Sequence, residues 1–120
     1  MKPVINGTSF GHITVDGKTY DHDIVIRLGG EVKKRKKKLS KEETGSSHMV
    51  SRSEAKHIYE KGASRVIIGC GQYGALDLSP EARAYFNKRD CVMDMRPTPE
   101  AIEAWNSAED DVIAMFHVTC

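Results

Sequence analysis

The second half of the chain alternates helical and strand-like segments, and this alternation restricts the fold more than any other feature of the sequence. Three apolar segments, "SRVIIG", "CVMDM" and "DVIAMFHVTC", have the composition of strands, and a segment with helical character precedes each of them. The last segment is almost continuously apolar, as is typical of a central strand covered on both faces. The pattern predicts a parallel or mixed sheet with helices packed on it and right-handed crossovers between strands.

The starts of the three helices are predicted from capping signals. Ser51 opens a capping-box pattern before "EAKHIYEKG". Ser79 before Pro80, and Thr98 before Pro99, each combine an N-cap residue with a proline at the first helical position. The segments "PEARAYFNKR" and "PEAIEAWNS" are therefore predicted to be helices.

The first third of the chain has β character. "GHITVDGKTY" alternates around Asp16-Gly17, a strong hairpin signal because type I′ turns need positive φ angles. "DIVIRL" at residues 23–28 predicts a further strand, and Gly29-Gly30 predicts the turn that follows it. This N-terminal β element is expected to form an extra layer or to extend the sheet.

The size and composition of the chain are those of one folded domain. Its 120 residues fit a single domain spanning residues 1–120. A hydrophobic fraction of 39% with 29% charged residues is typical of a globular protein rather than a disordered one. No apolar run approaches the roughly 18 residues of a membrane span, and the first residues lack the apolar core of a signal peptide. We therefore expect a cytoplasmic protein without a membrane span.

A glycine-rich stretch follows the first of the three predicted strands. In "RVIIGCGQYGALDLSP", Gly69, Gly71 and Gly74 have the spacing G-x-G-x-x-G, and residues 69–74 are called the glycine loop below. A dinucleotide site needs a helix that begins within the motif, whereas the capping signal at Ser79 comes five residues after Gly74. Asp94 lies twenty residues past Gly74, where an acid that binds a ribose would be expected.

Three interpretations of the glycine loop therefore remain open. The favoured one is a turn that needs glycine after a buried strand. The others are a dinucleotide site and a pocket in which the backbone amides around Tyr73 bind another small ligand or anion.

A catalytic cysteine is one further candidate. Cys70 follows the strand at the expected carboxyl edge of the sheet, where open α/β sheets bind ligands. With His48 or His117 as a base, and Asp94 to orient that base, Cys70 could act as a nucleophile. A small buried thiol is nevertheless the ordinary role of such a residue, and we predict no catalytic residue.

Two other segments contain candidate ligands. Ser47 and His48 in "GSSHMV" are placed in a loop before a helix, where such side chains commonly satisfy helix-end amides. His117 and Cys120 have the spacing H-x-x-C, but strand alternation would put them on opposite faces. Since the cysteines also lack paired ligand spacing or a disulfide framework, we predict reduced thiols and no metal site.

The strongest charge feature is the basic run "KKRKKK" at residues 33–38. Such a run could attract nucleic acid, an anionic lipid surface or an acidic partner. No aromatic residue is interleaved to stack on bases, so nucleic acid is not the expected partner. The favoured interpretation is a solvated loop whose charge Glu42 and Glu43 compensate.

Four segments together resemble one known family: "SFGHITVDGKTYDHDIVI", "SHMVSRSEAKHIYEKGASRVIIGCGQYGAL", "RPTPEAIEAWN" and "FHVTC". It is a family of small conserved proteins labelled a domain of unknown function, typed by a hypothetical protein from a methanogen. It includes a mitochondrial complex I assembly factor and an adipogenesis-associated vertebrate protein. The resemblance implies a three-layer α/β fold, with a central mixed sheet, helices packed on it and an additional N-terminal β-hairpin element. It implies no established enzyme activity, cofactor or catalytic residue.

The sequence thus predicts a non-catalytic binding or assembly-factor-like module that acts through the glycine-loop edge of its sheet. The alternative is a small α/β enzyme or a nucleotide- or anion-binding protein that uses the GCGQYG loop. The expected partners are a protein, a small anionic ligand or a second copy of the chain, and no cofactor is expected. The candidate ligand-binding residues are Ser47, His48, Gly69, Cys70, Gly71, Tyr73, Gly74 and His117.

Overall fold

A five-stranded mixed sheet forms the centre of the protein in the computed structural model, which describes residues 2–120. No helix within residues 2–120 is long and apolar enough to cross a bilayer. In chain order the elements are β1 (Ile5–Ser9), β2 (His12–Val15), β3 (Lys18–Tyr20), β4 (Ile24–Ile26), β5 (Val32–Lys34), α1 (Lys37–Thr44), β6 (Met49–Val50), α2 (Arg52–Ile58), β7 (Arg65–Cys70), β8 (Asp77–Leu78), α3 (Pro80–Asn87), β9 (Val92–Arg96), α4 (Thr98–Ser107) and β10 (Val112–His117).

The strand order of the central sheet is β5-β4-β10-β7-β9. β10 runs parallel to β7, and β7 runs parallel to β9, whereas β4 is antiparallel to both β10 and β5. All six residues of β10 are buried. The predicted mixed sheet, with the last apolar segment as a central strand, is therefore confirmed.

Two apolar clusters lie on opposite faces of this sheet and give the predicted three layers. On one face α2 and α3 cover the sheet, with α1 packed against α2. On the other face α4 packs together with a three-stranded antiparallel sheet of β1, β2 and β3. Trp105 of α4 and Phe116 of β10 are fully buried there, with ring centroids 6.4 Å apart.

The predicted N-terminal hairpin is present, and a further strand, β1, extends it to a three-stranded sheet. Asp16 and Gly17 join β2 to β3 with φ angles of 46° and 80°, the positive values that a type I′ turn requires. β1 pairs with β2 on its other side, and its first residue, Ile5, lies in the core. β1 was not predicted because its sequence, "INGTS", has little strand character.

Two of the three predicted helix caps are confirmed, and the third is wrong. Ser51 Oγ accepts a hydrogen bond from the amide of Glu54 at 3.1 Å, and Ser79 Oγ accepts one from the amide of Ala82 at 3.0 Å. α4 instead begins at Thr98 itself, after Pro97. The Thr98 side chain turns away from the helix end because it makes buried hydrogen bonds to other elements, described below.

The basic run is not the solvated loop that was predicted. Its first residues belong to β5, and α1 begins at Lys37. Arg35, between these elements, is only 4% exposed. The five lysines of the run are exposed, as expected of a solvated segment, but the loop was wrong. Arg35 is buried because it binds Glu54, which is fully buried, and Asp23, which is largely buried, and both lie far from it along the chain.

Candidate functional site

The carboxyl ends of β7 and β10 lie at the same edge of the sheet because the two strands are parallel. The glycine loop follows β7, and residues 118–120 follow β10. β4 is antiparallel to β10, so the residues before β4 and after β5 also lie at this edge. We call it the glycine-loop edge.

A polar cavity of 390 Å³ opens at this edge, and we call it the histidine pocket. It is lined by Asp21, His22, Asp23, Lys34, Arg35, Lys37, Ser47, His48, His117, Val118, Thr119 and Cys120.

His117 is held at the base of the pocket by Asp23. The histidine is 5% exposed, and its Nδ1 lies 2.7 Å from Oδ2 of Asp23. The other carboxylate oxygen accepts a hydrogen bond from the amide of Val118 at 2.8 Å. Burial alone would favour the neutral carboxyl, but hydrogen bonds from His117, Val118 and Arg35 outweigh it and lower the pKa of Asp23 to about 2. Asp23 is therefore ionised and accepts a hydrogen bond from Nδ1.

Arg35 forms the floor of the pocket and binds two acidic side chains, Asp23, which also lines the pocket, and Glu54, which does not. Its Nη1 lies 2.9 Å from Asp23 Oδ2, and its Nε lies 2.6 Å from Glu54 Oε2. Its Nη2 donates to Glu54 Oε1 at 3.0 Å and to the carbonyl of Ser47 at 2.9 Å. Ser40 donates a further hydrogen bond to Glu54, which is fully buried. Within residues 2–120 no buried side-chain nitrogen or oxygen lacks a hydrogen-bond partner, so the floor is preformed.

His48 and Cys120 meet His117 at the mouth of the pocket. Nε2 of His48 lies 3.5 Å from Sγ of Cys120, and the rings of His48 and His117 pack edge to face with centroids 5.4 Å apart. The prediction that His117 and Cys120 lie on opposite faces is wrong. β10 ends at His117, so strand alternation does not extend to Cys120, and the chain bends back toward the histidines.

Backbone amides in and next to the glycine loop donate hydrogen bonds to the last two residues of the chain. The amide of Gln72 donates to the carbonyl of Thr119 at 2.7 Å, and those of Tyr73 and Ala75 donate to the carbonyl of Cys120 at 3.3 and 3.1 Å. In a dinucleotide site such amides would face the phosphates of the ligand, whereas here they bind carbonyl groups of the protein. α3 begins only at Pro80, so no helix starts within the motif. A dinucleotide site at this loop is therefore not favoured.

Gly71 allows the glycine loop to come this close to the last residues of the chain. Its φ is 99°, a conformation that side chains rarely adopt. Its amide donates to Thr98 Oγ1 at 2.9 Å, and Thr98 Oγ1 in turn donates to the carbonyl of His117 at 2.6 Å. Gly69 is the fifth residue of β7, and Gly74 turns the loop with φ 71°.

The alternative grouping of Cys70 with a histidine and Asp94 does not form. Cys70 is buried and lines a different cavity, of 480 Å³, with Tyr73 and Gly74. Burial raises the pKa of its thiol to about 11, which disfavours the nucleophilic thiolate. Asp94 is bound by Arg65 at 2.7 Å and by Arg96 at 2.8 Å.

Three of the residues selected from the sequence, Ser47, His48 and His117, line the histidine pocket. Asp23 and Arg35, which also line it, and Glu54, which binds Arg35, were not selected. Asp23 is the first residue of the predicted strand at residues 23–28, and an antiparallel placement of that strand would have brought Asp23 to this edge. Nothing in the sequence separates Arg35 from the other residues of the basic run.

The comparisons with known proteins agree with this fold. Residues 5–117 match a family model described as a protein of unknown function (DUF498/DUF598). The conserved hypothetical protein PH1505 from Pyrococcus horikoshii OT3 is 33% identical, with a TM-score of 0.88 and 100% of both chains covered. The protein MT938 is also 33% identical, with a TM-score of 0.82 over 99% of this chain and 100% of that one. A Mth938-like domain from Bordetella pertussis is 11% identical with a TM-score of 0.69 over 97% and 85% of the two chains, a likeness of fold alone.

Proposed function

The chain belongs to the DUF498/DUF598 family, and we propose that it is a non-catalytic binding module that acts at the glycine-loop edge of its sheet. The resemblance carried by the four quoted sequence segments is thereby confirmed. Because the family has no assigned function, the proposal rests on the site itself.

The ligand we propose for the histidine pocket is a small anion. The observation that carries this proposal is the pair Lys34 and Lys37, which line the pocket and are exposed. Neither forms an ion pair with an acidic side chain of residues 2–120, whereas Lys33 pairs with Glu31 and Lys38 with Glu42. Two free ammonium groups beside a preformed polar cavity favour an anionic ligand.

The same pocket gives little support to catalysis. Arg35 bridges the carboxylates of Asp23 and Glu54 through hydrogen bonds. A carboxylate fixed in this way serves to position its neighbours rather than to exchange protons with a substrate.

Calorimetric titration with inorganic phosphate, sulfate and adenosine monophosphate, at constant ionic strength and in chelator-treated protein, tests this proposal. We expect saturable binding that the double substitution Lys34→Gln/Lys37→Gln weakens at least tenfold. The matched control is Lys61→Gln/Lys88→Gln, which removes two exposed lysines outside the pocket. Equal weakening by both pairs would indicate unspecific charge attraction, and no saturable binding of any probe would refute the proposal.

A second candidate function, protein binding of the assembly-factor kind, is favoured by two exposed aromatic side chains. Tyr73 of the glycine loop is 80% exposed, and Phe10 of the β1–β2 turn is 57% exposed. Their ring centroids lie 6.3 Å apart, so they form one apolar patch. Exposed aromatic residues are enriched among the side chains that anchor protein interfaces.

Self-association measured by sedimentation velocity tests whether a second copy of the chain covers this patch. We expect wild-type protein to associate and Phe10→Ser/Tyr73→Ser to remain monomeric. The control is Val92→Ser, since Val92 is similarly exposed, at 62%, but lies on the edge strand β9. A monomeric wild-type protein would rule out the second copy as the occupant.

A further inference from the structure

Three metal-ligating side chains converge at the mouth of the histidine pocket. One donor atom from each of His48, His117 and Cys120 lies within 4.8 Å of the other two. A tetrahedral Zn²⁺ site with Zn–N of about 2.0 Å and Zn–S of about 2.3 Å separates its nitrogen and sulfur ligands by roughly 3.5 Å. The Sγ of Cys120 is already 3.5 Å from Nε2 of His48. Small side-chain rotations would complete the geometry.

Asp23 orients His117 so that one ring nitrogen is left for a metal. Nδ1 lies 2.7 Å from Asp23 Oδ2 and is engaged by that carboxylate, so Nε2 is the nitrogen that can reach an ion in the pocket. Nε2 lies 3.2 Å from Thr119 Oγ1, and both residues line the pocket, so the hydroxyl of Thr119 would move aside for the ion. A carboxylate behind a ligating histidine is the usual outer partner of a zinc site, because it fixes the ring and raises its basicity.

The sulfur ligand is held in a fixed position, and carboxylates lie close to the histidines. Next to His117, Asp23 and the fully buried Glu54 share the single guanidinium of Arg35, whereas the ammonium groups of Lys34 and Lys37 belong to exposed side chains of the same pocket. The amides of Tyr73 and Ala75 hold the backbone of Cys120, so its side chain is presented from a fixed position.

We propose that His48, His117 and Cys120 bind a Zn²⁺ ion in a three-ligand site whose fourth position is open to the histidine pocket. Two imidazoles and one thiolate are a donor set that suits zinc among the available divalent ions. Three protein ligands with an open position are typical of sites where a small molecule reaches the metal. This site goes beyond the proposed anion binding and does not depend on it.

Titration of chelator-treated full-length protein with Co²⁺, a spectroscopic probe for zinc sites, tests the proposal. The buffer contains no phosphate or sulfate, so anion binding at the lysines does not enter the measurement. We expect one equivalent of Co²⁺ to bind, with the charge-transfer absorption of a cobalt–thiolate bond, and Zn²⁺ to displace it. Absence of that absorption at saturating Co²⁺ would overturn the proposal.

Substitutions assign the ligands. Cys120→Ser is expected to abolish the charge-transfer absorption, and His48→Gln to weaken Co²⁺ binding by about tenfold or more. His48 is exposed, so its replacement should leave thermal unfolding unchanged and keep the test valid even if Cys120→Ser destabilises the protein. The matched control is His22→Gln, a pocket histidine outside the cluster. A wild-type spectrum in His48→Gln, or equal weakening by His22→Gln, would contradict the assignment.

Discussion

The backbone of Cys120 occupies the space that a side chain at Gly71 would need. A Cβ atom built on Gly71 would lie 2.2 Å from the carbonyl carbon of Cys120 and 2.6 Å from its oxygen. The two segments are therefore in direct backbone contact, and this contact places Cys120 beside His48. The glycine that looked like part of a nucleotide motif is explained by a close approach within the chain.

Gly71→Ala should destabilise the protein far more than Gly74→Ala. Position 71 combines a strained φ of 99° with a backbone clash, for which we expect a loss of about 3 kcal/mol or more in the free energy of unfolding. Position 74 has φ 71°, but its nearest atom is Pro97 Cγ at 3.6 Å, so only strain of about 1 kcal/mol is expected there. Urea unfolding of the two variants measures the difference. Equal losses would contradict the close approach.

Thr98→Val should cost roughly 2–4 kcal/mol of stability, because it leaves the buried amide of Gly71 and the carbonyl of His117 without a partner. Thr98→Ser keeps the hydroxyl and should lose only about 1 kcal/mol, the contribution of one methyl group. Urea unfolding of both variants measures how much the hydroxyl contributes to stability. If Val and Ser were equally destabilising, the hydroxyl would not be the important group.

The buried thiols should react slowly in the native protein. Burial raises the pKa of Cys70 and of Cys91 from 9.0 to about 11, which lowers the thiolate fraction near pH 8 by about 100-fold. In chelator-treated protein, iodoacetamide followed by mass spectrometry should therefore modify Cys120 first. Rapid modification of Cys70 in folded protein would show that its thiol is accessible.

The same two thiols also predict a loss of stability at alkaline pH. The folded state binds the thiol protons more tightly than the unfolded state does, so stability is unaffected by these groups below pH 9 and falls as the pH rises from about 9 towards 11. Urea unfolding across this range, with Cys70→Ala/Cys91→Ala as the comparison, measures how much of the fall is due to the thiols. An identical pH dependence in the variant would contradict the prediction.

Features set by local sequence were predicted well. The caps at Ser51 and Ser79 and the turn at Asp16-Gly17 depend on residues within four positions of one another. Thr98 has the same local pattern as Ser79, yet its hydroxyl bonds one residue 27 positions earlier and another 19 positions later in the chain. Local spacing cannot distinguish a cap from a link to another element.

In the candidate site, too, local sequence indicated some residues, and others depend on contacts between distant parts of the chain. Ser47, His48 and His117 were selected because they lie in a loop and at a strand end, where function concentrates. Cys120 was excluded because strand alternation was extended beyond the end of β10. Arg35 was missed because its burial depends on Asp23, 12 residues earlier, and Glu54, 19 residues later. Both errors concern contacts that only the assembled sheet creates.

Arg35 should be the most sensitive residue of the basic run. Arg35→Met leaves the buried carboxylate of Glu54 without its cation, for which we expect a loss of roughly 3–5 kcal/mol. Lys36→Met, at the exposed neighbouring position, should change stability by less than about 0.5 kcal/mol. In a double-mutant cycle, Arg35→Met/Glu54→Gln should be about 2 kcal/mol less destabilising than the sum of the single substitutions, because the second removes the charge that the first leaves uncompensated. Urea unfolding of the four proteins gives this coupling energy. Additive effects would mean that Arg35 is buried for its packing and not for its ion pair with Glu54.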